Sequence, residues 1–285
     1  MDERALKRVV MEVAGRDAVL DDCAVLRVGD RFLVASTDML HASTDFPNGM
    51  TDWQVGWMSV AVTLSDIAAM GAEPADILLA VGLDDPSRLR NILEGAKSCC
   101  ETYGARFAGG DLDSHRELTL VSSGIGLSLN PVRRAGSNPG EVIGIVGIPG
   151  RAQAALEGHT QYQQYLFTPL PRVEEGRVLA AAGVSSMMDV SDGLISSLFD
   201  MKEANSCGYE IFSSRIPIIQ GIPRDRGLDL ALRGGGDFGL LFTCRPEILP
   251  QPIPDLYVIG RVIEEPAVKL DGRPVTLDGY QHHWD

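Results

Sequence analysis

The sequence predicts an α+β protein of α/β type, folded as two domains. Three observations predict it. Strand-like and helix-like segments alternate in both halves of the chain. The 285 residues exceed the roughly 150 typical of one domain. Between the halves lies 130–140, with two Pro, two Gly and two Arg, a composition that suits a linker better than a core. Placing the boundary there gives domains 1–133 and 134–285.

Each element has a local reason. The segment after the charged start is amphipathic, with Leu6, Val9, Val10 and Val13 on one side. Phe32–Ser36 reads as a buried strand that ends in the polar pair Thr37-Asp38. Residues 55–70 read as a helix: Trp57, Ala61, Leu64 and Ala68 form one face, Ser59, Thr63 and Asp66 another, and Gly71 stops it. Ile77–Val81 is strand-like. Pro86 opens a second helix that Gly104 closes. Short strands are expected at Ala105–Ala108 and Glu117–Leu127. Beyond the linker, Val142–Val146 is a strand and Arg172–Ala182 a helix stopped by Gly183. Met187–Val190 is strand-like, and Ser191 is expected to cap a helix reaching Ala204. Leu240–Thr243 and Tyr257–Ile259 read as strands. Val268–Leu270 and Pro274–Leu277 flank an Asp271-Gly272 turn, which predicts a hairpin.

Composition narrows the function. Lys and Arg number 25 against 39 Asp and Glu, a net charge of −14 that repels a nucleic-acid backbone. Acidic excess suits divalent cations instead. No apolar run reaches the roughly 18–20 residues of a membrane helix, and no signal-peptide core follows the start. A cytoplasmic chain acting on no membrane is expected. The five Cys (23, 99, 100, 207, 244) show no zinc-type spacing and read as reduced thiols. A P-loop, a nucleophile elbow and HExxH are all missing. Gly234–Gly239 has the spacing G-x-G-x-x-G but leads into a strand, so it reads as a tight loop where a ligand or backbone comes close.

The conspicuous pattern is Asp at strand ends or beside Gly. It recurs in Asp21-Asp22, Ser36-Thr37-Asp38, Asp66, Gly109-Gly110-Asp111 and Asp189-Val190-Ser191-Asp192-Gly193. Carboxylates gathered from separate strand ends repel one another unless a cation intervenes. Hard-cation chemistry then favours Mg²⁺ held jointly by carboxylates and substrate phosphates.

In this order, together with Asp21–Leu26, the block Leu64-Ser65-Asp66-Ile67-Ala68-Ala69-Met70-Gly71, Arg134-Ala135-Gly136 and the ending Gly279-Tyr280, the motifs resemble the thiamine-monophosphate kinase family. That family lies within the aminoimidazole ribonucleotide synthetase superfamily. The resemblance implies an N-terminal synthetase-like domain that dimerises through its sheet, with ATP in a cleft along the dimer interface. It implies ATP- and Mg²⁺-dependent phosphorylation of thiamine monophosphate to thiamine diphosphate. Magnesium ligands map to Asp22, Ser36, Thr37, Asp38, Asp66, Asp111, Asp189 and Asp192. Nucleotide contacts map to Gly110, Asp111, Arg134 and Ser191, and the catalytic set to Asp38, Asp192 and Arg134. On the substrate side stand Asp45, Gly236 and Tyr280. At two of these the chain departs from the family pattern, Asp45 replacing a usual His and Gly236 a usual Glu. Another phosphorylated or amide acceptor, or a non-catalytic ATP-binding relative, stays open at this point.

Overall fold

The structure is a computed structural model describing residues 3–249 and 253–277. Its helices and strands, numbered in chain order, are α1 (Glu3–Ala14), β1 (Ala24–Val28), β2 (Arg31–His41), α2 (Asp52–Ala69), β3 (Glu73–Leu83), α3 (Leu89–Thr102), β4 (Arg106–Ser114) and β5 (Thr119–Ser128) in the first half. The second half holds β6 (Val142–Val146), α4 (Arg151–Leu156), α5 (Gln163–Phe167), α6 (Val173–Ala182), β7 (Ser186–Val190), α7 (Leu194–Ala204), β8 (Gly208–Ile211), α8 (Arg224–Arg233), β9 (Gly239–Cys244), β10 (Leu256–Ile263), β11 (Val268–Leu270) and β12 (Arg273–Pro274).

The strands form two sheets. The first has the order β1-β2-β5-β3-β4, antiparallel except for the parallel pair β3/β4. The second has the order β12-β11-β8-β10-β6-β9-β7, with β8/β11 parallel. Each sheet has its own apolar core. A third cluster joins them, where Ala68 and Ala69 of α2 meet Val146, Met187, Leu240 and Phe242 of the second sheet.

Helix α2 is therefore the shared element. Fourteen of its eighteen residues are buried, more than a one-faced surface helix achieves. Thr51 and Gln54 form a reciprocal capping box that fixes where it starts. Gly124 and Gly126 of β5 bring it close to the first sheet. A Cβ on Gly124 would stand 2.6 Å from Thr63 Cγ2, and one on Gly126 would stand 2.7 Å from Ile67 Cγ2.

Several expected boundaries move. Strand β2 runs on to His41, so Ser36-Thr37-Asp38 lies inside a strand; β5 pairs with it along its whole length from Phe32 to His41. Likewise Gly109-Gly110-Asp111 lies within β4, because β3 supplies a partner as far as Ser114. Ser191 does not cap α7. Gly193, at φ 101°, is the N-cap residue and makes no side-chain cap bond. The Asp271-Gly272 hairpin forms, but its second strand is only Arg273–Pro274. All five cysteines are buried and unpaired. Among the described residues no helix is long and apolar enough to cross a membrane.

Candidate active site

Three carboxylates from three elements converge where the halves meet. Asp22 lies on the loop before β1, Asp66 in the last turn of α2 and Asp189 in β7. One oxygen from each lies within 4.8 Å of the others. Asp189 accepts a hydrogen bond from Ser65 at 2.8 Å, and Asp66 accepts one from Ser36. Asp38 is adjacent and accepts from Thr63 at 2.7 Å.

The cluster is electrostatically expensive. Helix α2 ends with its carbonyl dipoles toward Asp66 and carries no basic residue in its last turn, so the helix disfavours the charge. Burial, with Asp38, Asp189 and Asp22 close by, pushes the Asp66 carboxyl well above the usual carboxylate range. Burial also raises Asp22 and Asp38, although Arg134 and Thr63 respectively pull the other way. Asp189 is pushed up to about 8 by burial and then by Asp22.

Arg134 is the cation that faces this set. It bonds Asp22 through Nη2 and lies 4.0 Å from Asp200 through Nη1. Burial opposes its charge, but Asp22 outweighs it and holds the guanidinium above its ordinary value. The neutralisation is incomplete. Among the described residues Asp22 Oδ2 is buried with no hydrogen-bond partner. Among the described residues a single guanidinium thus serves a group of carboxylates, and this oxygen suits a further donor or cation. The donor set is all oxygen, the chemistry that hard divalent cations select.

A pH prediction follows. The folded pKa of Asp189, about 8, exceeds the unfolded value of roughly 3.9. The folded state therefore binds the extra proton, and this stabilising contribution is complete below the unfolded pKa. It disappears as pH rises through the folded value. In metal-free buffer the melting temperature should fall between pH 6 and pH 9 by more in the wild type than in Asp189→Asn. Parallel melting curves would refute the assignment.

Beside the cluster opens a cleft of about 620 Å³, walled by β2 and α2 on one side and by α4, α8 and the Gly234–Gly236 loop on the other. Asp38, Asp45, Ser191, Asp192 and Gly236 all line it. Such an arrangement can hold a cation at carboxylates beside a space for a phosphorylated small molecule.

Comparisons with known proteins decide what family this is. The chain matches the models for the AIR synthase related protein N-terminal domain over residues 20–128 and C-terminal domain over residues 140–273. It is 50% identical to the thiamine-monophosphate kinase of Methanospirillum hungatei JF-1 across all of both chains. The chain belongs to the thiamine-monophosphate kinase family.

The Escherichia coli K12 thiamine-monophosphate kinase is 32% identical over 92% of this chain and 90% of its own. Among solved structures, AaThiL complexed with AMPPCP and TMP superposes with a TM-score of 0.93 at 25% identity, covering 99% of this chain and 97% of that one. The thiamine-monophosphate kinase structure from Stenotrophomonas maltophilia K279a gives 0.80 at 27%, covering 95% and 96%. The two AIR-synthase-type domains account for the α+β architecture.

Against that family pattern, the positions divide. The Thr37 side chain does not join the cluster: it bonds Ser123 Oγ and the Ser122 carbonyl on the opposite face of the sheet, as alternation along β2 requires. Asp111 also stands apart within one chain. Its register runs Asp111–Ala80–Val121–Met39, and Met39 points away from the face that Asp38 occupies. Asp111 and its neighbour Gly110 are exposed on the edge strand.

Asp45 accepts from the His41 backbone N–H at 2.8 Å and from the Thr44 hydroxyl. Gly236 has φ +85° and donates its N–H to the Ser191 carbonyl at 2.7 Å. A side chain there would be strained, so the loop conformation accounts for glycine. Tyr280 lies outside the described residues. Ser65 lies in the Leu64–Gly71 block and Asp237 in the Gly234–Gly239 loop, but the motifs give neither a role in the site. Ser65 is visible only as one more polar residue in an apolar helix. Asp237 accepts from the Gly150 and Ala152 N–H groups, and burial pushes its carboxyl up to about 6. It ties the glycine loop to the start of α4.

Proposed function

We propose that the cleft transfers the terminal phosphoryl group of ATP directly to the phosphate of thiamine monophosphate, with Mg²⁺ held by Asp22, Asp66 and Asp189 and bordered by Asp38 and Asp192. Family membership over the full chain supports the reaction. The observation that carries the site is the unpartnered oxygen of Asp22 facing two further buried carboxylates.

The acceptor needs no general base. A phosphate monoester has a second pKa of about 6, so its oxygen is already ionised near neutral pH. The obstacle is repulsion: two unit charges 4 Å apart repel by about 4 kcal/mol at an effective dielectric near 20, and each phosphate carries more than one charge. Bound Mg²⁺ would supply charge neutralisation on the phosphoryl oxygens. The chain's own residues do the rest. Thr63, Ser36 and Ser65 hold the carboxylates of Asp38, Asp66 and Asp189 in fixed orientations. Arg134 presents a permanent charge to Asp22 and, with the domain boundary proposed at 133/134, would be the second domain's contribution to it. Ser191 and Asp192 lie where the cleft meets the cluster and would face the transferring group. Asp45 puts a carboxylate on the wall where the cationic thiazolium ring would rest.

A single turnover with γ-labelled ATP tests direct transfer. All label is expected in thiamine diphosphate, with none on protein. A labelled side chain that chases into product would overturn it.

We also propose a homodimer. Cross-strand pairing places Leu26, Val28, Met39 and Leu78 on the face of the first sheet opposite α2, and each is between 45% and 59% exposed. Four apolar side chains on one open sheet face suit a second copy. Facing sheets would also bring Gly110 and Asp111 of one protomer toward the other's cleft. Met39→Asp combined with Leu78→Asp should give a monomer in light scattering and lose activity; an unchanged mass would contradict this interface.

A further inference from the structure

The loop Gly234–Gly239 passes twice through backbone conformations that need outside support. Gly236 has φ +85° and Phe238 has φ 50°, the latter in a region that bulky residues rarely adopt. Between them stands Asp237, half-buried, with its carboxyl turned onto the start of α4. Its Oδ2 accepts from the Gly150 N–H at 2.5 Å, and its Oδ1 from the Ala152 N–H at 2.9 Å. Helix α4 has no side-chain cap of its own, because its N-cap residue is Gly150, at φ 92°. A residue 87 positions along the chain supplies the acceptor instead. The next residue, Phe238, is buried against Met58 and Val62 of α2. Two adjacent residues thus fasten the loop to opposite walls of the large cleft. Of residues 234–238, Asp237 alone does not line that cleft.

We propose that Asp237 is a positioning residue: by tying α4 to the loop that carries Phe238, it fixes the separation of the cleft walls between which the acceptor sits. The inference rests on the reading of this cleft as the acceptor's seat. It gives a role to a residue that acts through its neighbours and not by contact with substrate. On the α4 side, Gln153, Leu156 and Glu157 line the cleft, and on the α2 side Met58, Val62 and Phe238 do. Without Asp237 the α4 amides lose their acceptor, and Phe238 loses a restraint on its left-handed backbone. The contacts that remain hold the loop at its other end. Gly236 donates to the Ser191 carbonyl at 2.7 Å, and a Cβ on Gly235 would stand 2.6 Å from the same oxygen. Loss of the tie therefore loosens the acceptor wall more than it moves Ser191 and Asp192. The Asp237 carboxyl, pushed up to about 6 by burial and supported in its charge by Arg151, is ionised at pH 8. An ionised acceptor makes the stronger bonds to backbone N–H groups.

Steady-state kinetics at pH 8 on the full chain and its Asp237→Ala and Asp237→Asn variants, beside amide hydrogen exchange without substrates, test this. Asp237→Ala should raise the KM for thiamine monophosphate by about tenfold or more. The KM for ATP should stay within about twofold, since Arg134 and Gly110 do not line this cleft. The fall in kcat should be smaller than the rise in KM for the acceptor. Asp237→Asn keeps one acceptor oxygen and should lie between Asp237→Ala and wild type. Exchange at 150–152 and at 236–238 should quicken by about tenfold in Asp237→Ala. An unchanged KM for thiamine monophosphate in folded Asp237→Ala would overturn the proposal, as would a loss of kcat with both KM values kept. Should Asp237→Ala fail to fold, Asp237→Asn with wild-type KM and exchange would overturn it equally. A wild type that binds ATP but does not phosphorylate thiamine monophosphate would instead overturn the acceptor reading. Exchange then decides alone: quickening at both segments keeps Asp237 as the tie between the walls, and wild-type exchange removes it.

Discussion

Asp66→Asn is expected to lose more than about 100-fold in kcat while raising the melting temperature of the metal-free protein. The two effects share one cause. In the wild type the Asp66 charge is buried, opposed by the α2 dipole and repelled by Asp38, Asp189 and Asp22. Asparagine has the same shape and can still accept the Ser36 hydrogen bond, so packing is kept and only the charge goes. Removing it relieves the repulsion and, at the same time, deletes an oxygen anion of the proposed metal site. Each kcal/mol recovered should lift the melting temperature by roughly 2–4 °C in a chain of this size. Melting curves at pH 8 without divalent cation, beside turnover with Mg²⁺, measure both. Loss of stability together with activity would make Asp66 a packing residue.

Arg134→Met should lose on both counts. It leaves the buried Asp22 carboxylate without its cation, a change that typically costs 3–5 kcal/mol. Denaturant unfolding should report that loss, and turnover should fall because the charge at the cluster is gone. The double variant Asp22→Asn/Arg134→Met discriminates between a structural and a functional pair. Stability should return, since no uncompensated charge is buried, and activity should stay low. Recovery of both would remove the pair from the reaction; recovery of neither would mean Arg134 is needed for packing alone.

The sequence carries the residue types of this site better than their placement. The motif groups Ser36, Thr37 and Asp38 as ligands beyond a strand end, but because β2 runs through them, alternation puts Ser36 and Asp38 on one face and turns Thr37 to the other. Asp111 could not be read so. Its face depends on the register of β4 against β3 and on a bulge between Ile77 and Leu78, neither of which has a local signal. Capping shows a similar limit. Ser191 has the right chemistry for an N-cap, yet Gly193 takes the position because the loop turns there at positive φ. The meeting of Asp66 with Asp189 depends on α2 packing against both sheets, which the periodicity of 55–70 alone leaves open.

Transfer from ATP to thiamine monophosphate at the proposed carboxylate site can be followed through its product. The most direct measurement is chromatographic detection of thiamine diphosphate after incubating the protein with ATP, Mg²⁺ and thiamine monophosphate. Product that requires all three is the predicted result. ATP and Mg²⁺ bound normally, with no thiamine diphosphate formed, would contradict it.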